Sequence, residues 1–241
     1  MSVVLTALLA PTLSAALVVN VDFSRDTSIS GQNPGGNPAP TLYSGTGPAT
    51  DAGTSWNDFQ VQLSTTGQTV AAGQSFSGIN GGNTLIASDG VTDSGFNVAL
   101  TSGFFRAFNG GTSGGTGDLL GDRVFSNGNN NAIFTLSGLN STKTYDLYLI
   151  QGNYDVTFIS GANSVVATGS SSATFESGVN FGLLSGLTPD ASGNLSVTID
   201  PTPDNQFGVI AGLQIVEVPE PSAAVLLGLA SLAGLTRRRR S

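Results

Sequence analysis

From Leu17 to Val218 the apolar residues of this chain come in short runs with a two-residue period, and no helical stripe forms before residue 222. Val19, Val21 and Phe23 alternate with Asn20, Asp22 and Ser24, which puts one set on each side of an extended strand. Trp56–Val61 returns to that pattern, and weaker runs follow at Gln74–Ser77, Thr84–Ala87, Phe96–Leu100 and Phe104–Phe108. After residue 131 the spacing is regular: Ala132–Leu136, Tyr145–Ile150, Asp155–Ser160, Ser164–Thr168, Ser172–Phe175, Val179–Leu184, Leu195–Asp200 and Val209–Val218. Turn residues separate the runs, as in Ser137-Gly138-Leu139-Asn140-Ser141. Strands this short bury an apolar face by stacking two sheets, so residues 17–217 are expected to form an all-β antiparallel sandwich. The proline- and glycine-rich stretch Ser30–Asp51 reads as a long irregular loop over the surface. Gly110–Asp122 reads as a glycine-rich loop ending in Asp118 and Asp122.

Composition removes whole classes of chemistry. The chain has no cysteine and no histidine, hence no disulfide, no thiolate, no imidazole base and no Ser-His or Cys-His nucleophile. Between Leu17 and Val218 four basic residues (Arg25, Arg106, Arg123 and Lys143) face fifteen acidic ones, a net charge of −11. No basic patch is available to displace counterions from a phosphate backbone, which argues against a nucleic-acid partner.

The two ends differ from the middle. Residues 1–16 read as a signal peptide, with Val3–Leu13 apolar and Ser14-Ala15-Ala16 small at the cleavage positions, although no basic residue precedes the apolar run. At the other end Val218-Pro219-Glu220-Pro221 leads into an apolar stretch, residues 222–236. Four consecutive arginines, Arg237, Arg238, Arg239 and Arg240, follow it. Arginine is costly to move through hydrocarbon, so this block reads as a stop-transfer behind one short transmembrane helix. The uncharged run Ala223–Leu235 is thirteen residues. At about 1.5 Å each it covers roughly 20 Å of a core about 30 Å thick, which suits a temporary anchor.

The Val218-Pro219-Glu220-Pro221 motif, the short span and the arginine block together resemble the PEP-CTERM sorting signal of Gram-negative bacteria that make extracellular polysaccharide. The resemblance implies recognition and cutting near the Pro-Glu-Pro by a membrane enzyme, the exosortase, with Glu220 and its flanking prolines as recognition elements. It also implies an exported precursor anchored in the inner membrane, destined for the cell surface or extracellular matrix. Proline on both sides of Glu220 keeps that segment out of helix and strand. A second, looser resemblance runs through Phe134–Leu139, Thr144–Leu149, Leu187–Leu195 and Gly208–Ile215, which is similar to the second half of galactose-binding-like jelly rolls. It implies a jelly-roll fold of carbohydrate-binding ancestry, which does not by itself assign a sugar site.

Candidate chemistry is sparse. Thr92-Asp93-Ser94-Gly95 and Thr50-Asp51-Ala52-Gly53 resemble the Asp-Thr/Ser-Gly turns of aspartic proteases, but the second carries alanine at the hydroxyl position. Asp-x-Gly is equally plain turn chemistry. Before the Pro-Glu-Pro the glutamates are Glu176 and Glu217, and the thirteen aspartates show no distinctive pairing for a glycosidase. Gly114-Gly115-Thr116-Gly117-Asp118 resembles one turn of a calcium-binding nonapeptide repeat, which makes Asp118 and Asp122 the candidate calcium ligands. Glycan contact needs aromatic platforms beside amides or carboxylates, and Trp56, Tyr148 and Tyr154 are the candidates, with Tyr43 as a further platform. Trp56 also fits as a core or rim plug. Tyr145 and Tyr148, three apart on one strand, are expected to face opposite sides with one in the core. The expected protein is a non-enzymatic exported coat or adhesive component sorted by an exosortase and associated with exopolysaccharide; a carbohydrate-binding module and a secreted hydrolase are the alternatives.

Overall fold

The alternation that opens the ectodomain places Val19, Val21 and Phe23 in one fully buried core, while Asn20 and Asp22 point to the other side of the same strand. A computed structural model of the protein describes residues 16–25, 43–50, 53–61, 68–70, 84–108, 119–120, 123–126, 131–152, 154–170, 174–201 and 207–219. All of these except Ala16 and Pro219 belong to one unit, Leu17–Val218. Its strands are β1 (Val18–Arg25), β2 (Asn57–Val61), β3 (Gln68–Val70), β4 (Asn97–Phe108), β5 (Arg123–Ser126), β6 (Ala132–Ser137) and β7 (Tyr145–Ile150), followed by β8 (Val156–Ser160), β9 (Asn163–Ala167), β10 (Phe181–Leu187), β11 (Leu195–Pro201), β12 (Val209–Ile210) and β13 (Gly212–Glu217).

A five-stranded sheet runs β10-β7-β13-β1-β2, and a larger one runs β12-β5-β4-β6-β11-β8-β9 with β3 added on β4. Both line the same core. Phe23 of the first sheet meets Phe134 of the second at 6.3 Å between ring centroids, and Phe96 meets Tyr145 edge-on at 5.8 Å. The expected period two holds where burial is clearest: β6, β8 and β11 alternate buried with more exposed residues along their length.

The departures from the expected sheet have local causes. Pairing is antiparallel except between β1 and β2, which run parallel with Val21 opposite Asn57 and Phe23 opposite Phe59. A parallel neighbour needs a crossover of about a dozen residues or more, and the long segment after β1 supplies it. The run Val209–Val218 is divided at Ala211: β12 pairs with β5 in one sheet, and β13 with β1 and β7 in the other. Phe96–Leu100 and Phe104–Phe108 fuse into β4, whose register shifts between Leu100 and Ser102. Gly103 there takes φ 105, and a Cβ on it would lie 2.7 Å from the Ala132 backbone. Thr84–Ala87 gives only an isolated bridge, Ile86 to Asp93. Val179 and Asn180 form a turn ahead of β10; of the expected strand Ser172–Phe175, Thr174 is in a bend, Phe175 is in no strand, and the first two residues lie outside the described residues. The short strands β3 and β5 carry too little alternation to be read in advance. The expected strand Gln74–Ser77, the signal peptide before Ala16, the span 222–236 and the arginine block Arg237, Arg238, Arg239 and Arg240 lie outside the described residues. Among the described residues no helix is long and apolar enough to cross a membrane.

Candidate functional site

The outer face of the five-stranded sheet is covered across β1 and β13. Register places Asn20 opposite Gln214, Gln214 opposite Tyr148, and Tyr148 opposite Leu183, so these four form one row across β1, β13, β7 and β10. Asn20 and Gln214 are fully buried and Asp22 is 1% exposed, because the segment Tyr43–Thr50 lies over them. The polar side chains of the row serve as hooks. The amide of Gln214 donates Nε2–H to Asn20 Oδ1 at 2.8 Å and accepts at Oε1 from the backbone N–H of Ala49 at 2.8 Å. Asp22 Oδ2 accepts from the Tyr43 N–H at 3.0 Å, and Asn20 Nδ2 donates to Ser55 O at 3.0 Å. Asn57 extends the network, donating to Asn20 O and Ile86 O and accepting from the Ile86 N–H. An irregular segment with no ladder of its own must satisfy its backbone this way when buried.

Trp56 is built into this cover. It is 5% exposed, its Nε1–H donates to Gly45 O at 2.8 Å, and Tyr43 packs edge-on against it at 5.1 Å. Leu119, Leu120, Ile150 and Phe181 complete the cluster. The half-buried Tyr148 packs on the same cluster, 5.9 Å from the Phe181 ring, and burial together with the nearby Asp146 raises its hydroxyl pKa. Trp56 and Tyr148 are thus brought to one face. Tyr154 is held elsewhere, edge-on to Phe207 at 5.5 Å with the Arg123 guanidinium 5.7 Å above its ring. Tyr145, as its spacing from Tyr148 requires, is fully buried in the main core, its hydroxyl accepting from the Asn140 N–H at 2.9 Å.

The aspartate turns are internally satisfied. Asp93 Oδ1 accepts from the Thr84 hydroxyl and from the Gly95 N–H at 2.9 Å, which lowers its pKa. Asp89 likewise accepts from the Thr92 hydroxyl and from the N–H groups of Thr92 and Val91, and its pKa is also lowered. These are turn-forming bonds with the carboxylates exposed. Asp51, Asp118 and Asp122 lie outside the described residues. Among those described, no three acidic side chains gather as a metal site would need.

At the end of β13 the ladder carries the chain up to the sorting signal. Glu217 pairs with Tyr145, its N–H donates to Leu17 O at 2.9 Å, and its carboxylate forms an ion pair with Lys143. The Val218 N–H donates to Thr144 O at 2.9 Å. Pro219 has no N–H to continue the ladder and is exposed. Glu220 and Pro221 lie beyond the described residues, as do Arg237, Arg238, Arg239 and Arg240. Comparison with known families matches residues 217–240 to the PEP-CTERM protein-sorting motif. The match begins at the last residue of β13 and takes in the Val218–Pro221 motif together with all four of those arginines. No curated protein and no solved structure matches the chain. The chain therefore carries a sorting motif that marks an exported precursor, anchored in the membrane until an exosortase-type enzyme processes it.

Proposed function

We propose that the chain is a non-enzymatic surface or matrix component, with a galactose-binding-like jelly-roll ectodomain delivered by its C-terminal signal to a polysaccharide-rich coat. The observation that carries the reading is the position of the signal. The motif at 217–240 starts where β13 stops, so a folded ectodomain is joined directly to a removable anchor. The uncharged polar composition and the acidic balance of the ectodomain suit a hydrated exterior. The Asp-Thr/Ser-Gly-like turn at Asp93 is used in turn formation, which favours the non-enzymatic reading over a hydrolase.

The test is the intact mass and cell fraction of the protein recovered from its own host. A form beginning near Leu17 and ending near the Pro-Glu-Pro, outside the inner membrane, is expected. A membrane-bound form that keeps Arg237 to Arg240 reduces the tail to a plain anchor. Binding to the coat polysaccharide is expected to depend on the half-buried Tyr148 or on Tyr154. Affinity unchanged in Tyr148→Ala and Tyr154→Ala removes both from a glycan site. For Asp118 and Asp122, a melting curve that moves with calcium and returns with chelator supports calcium binding; an unmoved curve removes it.

A further inference from the structure

The sorting motif follows the last strand of the sandwich directly, and two turns of the sandwich lie at that end. The last row of the five-stranded sheet is Leu187, Tyr145 and Glu217, so the turn before β7 and the turn after β10 meet at the same end as the motif. The two turns are interlocked. The Leu139 N–H donates to Gly193 O at 3.1 Å, and Gly193 at φ 78 lies so close that a Cβ there would strike the Leu139 carbonyl. Asp190 Oδ1 ties its own turn by accepting from the N–H groups of Ser192 at 2.8 Å and Asn194 at 2.9 Å. Lys143, from the first turn, pairs with Glu217, and Thr144 O holds the Val218 N–H. β13 is flanked on both sides, by β1 and β7, so it cannot peel away as an edge strand could.

Glu220 follows Val218 by two residues, at most about 7 Å of chain. An interface of ordinary size covers roughly 800 Å² per partner, a disc about 16 Å in radius. A disc of that size centred on Glu220 takes in the Val218 end of β13 and its neighbours Thr144 and Lys143.

We propose that the rim formed by Gly138–Thr144 and Thr188–Asn194 is a docking surface for the membrane processing enzyme, and that Lys143, through Glu217, is a positioning residue that presents the motif at it. The proposal rests on the sorting reading above. The rim holds the motif in register with the enzyme, so processing depends on the length of chain between Val218 and Pro219 as well as on the motif.

The experiment follows precursor conversion of the full chain in its own host, by pulse-labelling and intact mass. One variant carries six residues, five Gly/Ser and a closing valine, inserted between Val218 and Pro219, which keeps Val218 in its ladder, a valine before Pro219 and the span unchanged. Four residues separate Val218 from Ala223. Lengthening that tether to ten lowers the effective concentration of the rim at an enzyme engaged on the membrane span about fourfold, by the −3/2 power of length. Conversion about fourfold slower is expected, with Lys143→Gln also slowed and Lys143→Arg restored to the native rate. Conversion of the insertion variant at the native rate or faster overturns the proposal, since the sandwich end is then a bystander or an obstacle. Lys143→Gln slowed with no rescue by arginine removes Lys143 from the positioning role. If the unaltered chain itself keeps Arg237 to Arg240, the sorting reading falls and this inference with it.

Discussion

Gly47 and Gln214 show how much of the ectodomain depends on single side chains placed against backbone. A Cβ on Gly47 would sit inside the Gln214 amide, and a Cβ on Gly45 inside the Tyr43 ring, so a side chain at either position displaces a group that holds the cover over β1 and β13. Gly47→Ala is expected to cost about 1–3 kcal/mol as overpacking, measured by denaturant unfolding of the full chain. Gln214→Leu leaves the Ala49 N–H and Asn20 Oδ1 without the bonds they make to Gln214, and is expected to cost about 2–4 kcal/mol. Trp56→Ala is expected to cost about 3–5 kcal/mol, because its ring fills the cluster under the cover. A Trp56→Ala variant as stable as the native chain would return Trp56 to the list of presented aromatics. Trp56 as a core plug was within reach of the sequence, since a lone tryptophan on a strand flank is more often packed than displayed. Gln214 as a hook was not, because its partner Asn20 is 194 residues away.

Among the strands, the sequence pattern located elements well and assigned them to sheets poorly. Alternation marks which residues of β6, β7 and β11 face the core, and those faces are as expected. It carries no information on neighbours. β1 reads as an ordinary half-buried strand, yet it is buried on both faces and pairs antiparallel with β13 on one side and parallel with β2 on the other. The run Val209–Val218 reads as one strand and serves two sheets, the change falling at Ala211, whose N–H donates to Ile150 O and whose carbonyl accepts from the Phe23 N–H. Hydrogen exchange should follow these pairings. Amides of β13, and that of Val218 just beyond it, are expected to be among the slowest, with protection ending abruptly at Pro219. Rapid exchange at Glu217 and Val218 would show that the ladder frays before the motif.

Taken together, the titratable groups predict a broad plateau of stability. Without histidine or cysteine no side chain ordinarily titrates near neutrality. Asp89, Asp93 and Asp190 have lowered pKa values, from hydrogen bonds chiefly to Thr92, Thr84 and Asn194 respectively, so their contribution is present above the ordinary carboxylate value and lost as pH falls below about 4. Burial raises Tyr145 and Tyr148, so the folded state keeps their protons longer; that contribution is complete below about pH 10 and lost as pH rises through their elevated values. Melting temperature against pH is expected to be flat between about 5 and 9 and to fall on both sides; a step near pH 6–7 would contradict it. The all-β class, the faces of most strands and the sorting signal were legible in the chain alone, because each is written in local order: a two-residue period, a turn residue, a charge block behind an apolar run. It took the folded molecule to show that Asn20, Asp22 and Gln214 hold a buried cover in place of facing water, that Trp56 lies beneath it, and that Lys143 and Thr144 hold the start of the sorting signal. These depend on residues far apart in the chain meeting across strands, and a pattern of neighbours along one chain does not encode which strand lies beside which.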